Sequence, residues 1–191
     1  MNFPALAALF GVVLVVAIAG FILLASYNTI VALRQRIDKA WSNVDVVLKQ
    51  RHDQLPNLVV AVRGVMTFER DVLAEVTRAR AAYSPTAPIP DQAVTSEVTS
   101  SAVRSLFAVV ERYPDLKSQG NVQDLQDEIE RLEGMIADRR ELYNDQVYRY
   151  NTAIAQVPGV LLASLLGWKT RQFFAADPAE VGRPDSSLGT S

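Results

Sequence analysis

The chain has 191 residues and no cysteine. That excludes disulfides, thiolate catalysis, cysteine-held zinc and iron–sulfur clusters. It leaves the compartment open, because cysteine-free proteins occur on both sides of membranes. There is a single histidine, His52, so any metal site would have to be built mainly from carboxylates. The net charge of −2 supplies no strong field to draw nucleic acid. No segment alternates apolar and polar residues as a half-buried strand does, and no internal repeat is present. A phosphate loop, a dinucleotide fingerprint and a nucleophile elbow are also missing. No cofactor or metal is expected.

Charge is absent from one end altogether. All 19 basic and 21 acidic residues lie at or beyond Arg34. Before it, the run ALAALFGVVLVVAIAGFILLA, residues 5–25, has no polar side chain. As a helix this run rises roughly 31 Å, close to the ~30 Å of a hydrocarbon core. It predicts a transmembrane anchor over residues 1–26. A cleaved signal peptide fits less well: no basic residue precedes the run, the run is long, and LLAS is a poor cleavage site. Arg34, Arg36 and Lys39 follow the span, so positive charge predicts an outside N-terminus and a cytoplasmic body at the inner cell membrane. Tyr27 falls at the expected interfacial level.

The rest reads as helices. Ile30, Leu33, Ile37, Ala40, Val44 and Val47 recur at three- and four-residue steps, a seam for helix packing or oligomer contact. After a polar interruption near Arg51 the pattern resumes with Leu55, Leu58, Val62 and Val65 and runs to about Tyr83. Pro56 predicts a kink or short break. The proline-rich SPTAPIPD makes a loop. A second helix is expected over residues 91–112, burying Val94, Val98, Leu106, Phe107 and Val110. A third is expected over residues 122–157, capped by Asn121. Its seam is Val122, Leu125, Ile129, Leu132, Ile136, Tyr143, Val147, Tyr150 and Ile154. VLLASLLGW is a short apolar helix. The expected fold is all-α: an N-terminal transmembrane helix continuing into an antiparallel bundle of long helices over residues 27–174, then a disordered tail over residues 175–191. Residues 34–83 carry nine basic and six acidic side chains, and residues 121–157 four basic and eight acidic, so the long helices are complementary in charge.

Few residues invite chemistry. His52 stands between Arg51 and Asp53, but helix neighbours point apart, so neither orients its ring. It reads as a surface or interhelical histidine rather than a base or pH sensor. Asp124, Asp127, Glu128, Glu130 and Glu133 resemble a cation site only superficially, since a di-metal bundle also needs Glu-x-x-His pairs. They read as a hydrated helix face. Asn144 and Asn151, seven apart, are placed to fix register across a helix seam. In GWKTRQFF, Trp168, Phe173 and Phe174 alternate with Lys169 and Arg171. This is either an interfacial anchor, with Tyr27, Arg34, Arg36, Trp168, Lys169 and Arg171 at headgroup depth, or a cap on the bundle core.

Four segments carry a resemblance: YNTIVALRQRIDKAWSNVDVVLKQRHDQLPNLVVAVRG, VVERYPDLKSQGNVQDLQDEIE, RRELYNDQVYRYN and LLGWKTRQFF. In order and spacing the chain resembles the LemA family. Members often have a second basic residue and DLIPNLV where this chain has His52 and DQLPNLV, which further weakens a catalytic role for the histidine. The resemblance implies a membrane anchor, a helical cytoplasmic body and no enzymatic activity. Some members occur with a membrane metalloprotease, and a related magnetosome protein is implicated in building membrane organelles. The expectation is a non-enzymatic scaffold that self-associates and organises or shapes the bilayer, with the lipid bilayer and further copies of itself as partners. An adaptor for a membrane protease or stress response, and a helical-bundle sensor, are the alternatives.

Overall fold

A computed structural model of the chain describes residues 3–63, 69–117 and 119–175. Its elements are α1 (Phe3–Arg63), α2 (Arg70–Ala81), α3 (Ile89–Val110), α4 (Pro114–Lys117), α5 (Gly120–Ala155) and α6 (Gly159–Leu166). The fold is all-α, with α1 and α5 packed antiparallel. The expected tail, apart from residue 175, lies outside the described residues, as does Val65 of the seam.

Pro56 does not interrupt α1, which continues to Arg63. A proline removes one helical hydrogen bond. Around it Leu55, Leu58, Val59 and Val62 are all buried on one face, and that packing holds the turn. The helix expected to reach Tyr83 is instead two, with α2 beginning at Arg70. Acidic Asp71 opens α2 and Arg78 and Arg80 close it, matching the helix dipole. Asn121 is not the cap of α5. The backbone N–H groups of Val122 and Gln123 both donate to the Gln119 carbonyl, and the helix starts at Gly120, two residues earlier than the side-chain signal suggests.

The chain forms two compact units, Met1–Lys39 with Asp145–Arg171, and Ala40–Asn144 with Gln172–Ser191. In the first, Ile30, Leu33 and Ile37 of α1 are buried, as are Val147, Tyr150 and Ile154 of α5 and Ala163 of α6. Gly159 opens α6 where the backbone runs against α5. A Cβ there would collide with the Ala153 carbonyl oxygen and come within 3.2 Å of Ile30 Cδ1.

In the second unit one cluster joins Leu55, Leu58 and Val62 of α1 to Val76 of α2, Val103, Leu106 and Val110 of α3, Leu116 of α4 and Ile129 of α5. Val44 and Val47 are buried too, and Ala40 is half-buried. In α3, Leu106 and Val110 are buried as expected and Phe107 is half-buried, but the first half of the helix differs from the expected face. Val94 and Val98 are exposed, while Gln92, Ala93, Ser96, Thr99 and Ser100 are buried. For Ser96 and Ser100 the reason is Arg51. It stands one heptad after Val44, in the seam, and only 4% of it is exposed. Its Nη1 donates to Glu133 Oε1 at 2.7 Å and to Ser100 Oγ at 2.8 Å, and its Nη2 donates to Ser96 Oγ at 3.0 Å. Ser100 Oγ donates in turn to Glu133 Oε2 at 2.7 Å. A buried guanidinium needs partners on each nitrogen, so the first half of α3 turns small hydroxyls inward and valines outward.

Glu133→Ala leaves that cation without its counter-charge. Breaking such a pair costs about 3 kcal/mol, reduced here because Glu133 is partly solvated. Arg51→Leu removes the charge itself and is expected to cost less. Chemical denaturation of the detergent-solubilised variants, read by circular dichroism, checks the order.

Candidate functional site at the end of the apolar span

Among the described residues one helix, α1, is long and apolar enough at its N-terminal end to cross a membrane. Its side chains from Phe10 to Leu24 face outward on all sides, as a span surrounded by lipid requires. Past Ala25 the surroundings change within two turns. Thr29 folds its hydroxyl back onto the Ala25 carbonyl at 2.9 Å, and Ile30 is the first fully buried residue.

At this boundary three of the six residues expected at a membrane interface come together. The Tyr27 and Trp168 rings stack, centroids 5.7 Å apart at 29°. The Arg34 guanidinium lies 5.9 Å from the Trp168 centroid, within cation–π range. Of the other three, Arg171 sits 3.6 Å from Asp38, while Arg36 and Lys169 are exposed.

Trp168 is delivered there by a tight turn. Gly167 ends α6 at φ 66°, a left-handed conformation that glycine takes without strain, and the Trp168 N–H closes on the Ala163 carbonyl at 3.0 Å. The extended segment that follows is held by α5 through its backbone. Tyr150 Oη donates to the Lys169 carbonyl at 3.1 Å, Asn151 Nδ2 to the Arg171 carbonyl at 3.0 Å, and the Arg171 N–H to Asn151 Oδ1 at 2.8 Å.

The other unit uses the same device. Tyr143 Oη donates to the Gln172 carbonyl at 2.8 Å, while Asn144 Oδ1 accepts from the Phe174 N–H at 2.8 Å and its Nδ2 donates to the Phe174 carbonyl at 3.2 Å. The asparagines thus grip an extended backbone rather than a second helix seam. No periodicity announces such a segment, since only its N–H and carbonyl groups are recognised. Within GWKTRQFF, Trp168 joins the Tyr27–Arg34 stack, and Phe174 is buried against Trp41, centroids 5.7 Å apart.

His52 is half-buried, its ring 4.7 Å from that of Tyr83. Burial, helped by the Arg80 charge and opposed by Asp53, holds its pKa below the usual histidine value. Burial likewise raises the Tyr83 phenol, with Asp45 and Asp53 adding to the effect. A cavity of about 180 Å³ in the second unit is lined by Ser96, Glu97, Ser100, Arg104, Glu133 and Arg140, among others. Both of its hydroxyls already serve Arg51 and Glu133. Within the acidic cluster on α5, Glu128 is paired with Arg131 at 2.8 Å, and that hydrogen bond lowers its pKa. Among the described residues no group of three or more histidine, aspartate or glutamate side chains is placed to hold a metal ion.

An apolar span, an aromatic–cation stack at its end and a helical body define a candidate membrane-anchored helical protein. The LemA family model matches residues 40–186, and the chain belongs to the LemA family. Two relatives, the magnetosome proteins MamQ 1 and MamQ 2 of Paramagnetospirillum magneticum, are each 25% identical over 196 residues, covering 88% of this chain and 72% of theirs. Magnetosome protein MamQ of Magnetospirillum gryphiswaldense is 33% identical over 79 residues, 41% of this chain and 29% of its own.

Asn151→Ala removes two hydrogen bonds to Arg171, about 1 kcal/mol each. Trypsin is then expected to cut at Lys169 and Arg171 faster than in the parent, with overall helicity unchanged. A second prediction concerns pH. Because the folded pKa of His52 lies below its unfolded value near 6.5, protonation favours the unfolded chain, and its effect sets in as pH falls below about 6.5. His52→Phe is expected to flatten the loss of thermal stability between pH 7 and pH 5.5, measured by melting.

Proposed function

We propose that the protein is a non-enzymatic, membrane-anchored scaffold that self-associates and thereby organises or shapes the bilayer, with its N-terminus outside and its helical body in the cytoplasm. The observation that carries the membrane part is the compact unit at the end of the span. There the aromatic–cation stack has the chemistry of a headgroup-level anchor, rings at the boundary and a guanidinium within reach of phosphate. Arg34, Arg36 and Lys39 on the same side support the orientation. The relatives named as magnetosome proteins agree with the expectation, drawn from the family resemblance, of a role in membrane organelles.

Ile30, Leu33, Ile37, Val44 and Val47 are buried within the single chain, which favours self-association through other faces. Val46 and Val60, two heptads apart on α1, point outward, as do Val94 and Val98, one turn apart on α3. Exposed valines at helical spacing suit a second helix surface of the same kind. A partner protein such as a membrane protease is the competing occupant of these faces.

Native mass measurement in nanodiscs tests the reading. A homo-oligomer is expected, and Val60→Lys is expected to dissociate it. Since Val60 is 71% exposed, the melting of the single chain should change by less than about 0.5 kcal/mol. A chain that stays monomeric at high loading contradicts self-association and turns attention to partner capture.

A further inference from the structure

We infer that α6 is a second membrane contact: a short helix lying in the interface of the leaflet where the span ends, with Val157, Leu161 and Leu165 reaching into the acyl region. The inference rests on the proposed membrane anchoring and adds where else the chain meets lipid. It begins from an anomaly of burial. From Gln156 to Trp168 there is no charged residue, yet the apolar side chains are not packed away. Leu165 is 81% exposed, Val157 80% and Leu161 61%, with Leu166 and Val160 exposed as well. Only Gly159 and Ala163 of α6 are buried. The helix turns its smallest residues inward and its leucines outward, the reverse of a core helix.

Its position says what covers those leucines. Both ends of α6 are fixed to the first residues past the apolar run of α1. Gly159 abuts Ile30 at the start, and Trp168 stacks on Tyr27 just after the end. The run to Ala25 is long enough to fill the hydrocarbon core, so residues 27–30 stand about 3–8 Å beyond its edge, in the headgroup layer. A helix clamped at that level with outward leucines has acyl chains next to it, and interfacial helices bury their apolar face to ~5–10 Å. Lys169, next to Trp168, and Arg34, whose guanidinium reaches the Trp168 ring, supply cations toward the same boundary for anionic headgroups. At the end of α6 the Gly167 and Trp168 N–H groups both close on the Ala163 carbonyl. The occupant is therefore anionic phospholipid.

The test uses the full chain in nanodiscs. The sequence has two tryptophans, so Trp41→Phe leaves Trp168 as the sole reporter. With lipids brominated high on the acyl chain, roughly half of the Trp168 emission is expected to be quenched, as befits a ring at interfacial depth. Leu161→Asp combined with Leu165→Asp is expected to remove most of that quenching while α1 still resists carbonate extraction. Because the chain has no cysteine, Leu165→Cys carrying an environment-sensitive fluorophore gives an independent reading in the otherwise native protein. A blue-shifted emission quenched by the same lipids is expected. Absence of quenching at both Trp168 and position 165 overturns the inference. So does a mass shift from oligomer to monomer in the double aspartate variant with position 165 unquenched, which assigns the patch to a second copy. Failure of the scaffold reading shows separately, as a monomeric mass whatever the quenching.

Discussion

The structure depends on filling one stripe of α1. From Ile30 to Val62 that helix presents a side chain every three or four residues that water cannot be allowed to reach. Each such Ile, Leu or Val contributes about 1.5–3 kcal/mol when buried. An isolated helix cannot bury its own stripe, so α5 is required opposite it. The remaining short helices enlarge the cluster around Leu55, Leu58 and Val62. The one charged member of the stripe, Arg51, shows how strict the constraint is. It keeps its seam position, and the chain supplies Ser96, Ser100 and Glu133 to meet it.

Much of this was legible in the sequence. The uncharged run, the seam residues and the prolines at 85, 88 and 90 are local signals, and the helices they predict are present, except that the one expected to reach Tyr83 is divided into α1 and α2. What was illegible has a common cause. Arg51 reads as an interruption because periodicity counts apolar residues and cannot see a charge that is solvated by partners far away in sequence. The same blindness misplaced the face of the first half of α3: Val94 and Val98 look like core, and the burial of a guanidinium explains why Ser96 and Ser100 turn inward instead. Pro56 looks like a break because its cost is local, while the packing that offsets it is tertiary. Asn144 and Asn151 were visible as a heptad pair, but their partners are backbone groups, which carry no residue signature.

The membrane end follows from the same physics with a different solvent. Where α1 is surrounded by lipid it needs no partner, and its apolar side chains face outward. Beyond the apolar run burial begins at Ile30, and Tyr27, Arg34 and Trp168 come together beside it. The leucines of α6 fit this picture as a continuation of the lipid-facing surface. A scaffold reading asks for little chemistry and for well-defined surfaces, and outward valines, an aromatic–cation stack and an exposed apolar helix are surfaces of that kind.

The central claim is that the stripe of α1 is filled within a single chain. Hydrogen exchange in nanodiscs tests it, comparing discs loaded with one chain and with many. The account predicts that the amides of Ile30–Ile37 and Val44–Val62 are equally protected at both loadings. Protection that disappears in discs holding one chain would contradict it, because the stripe would then be completed by a neighbouring copy.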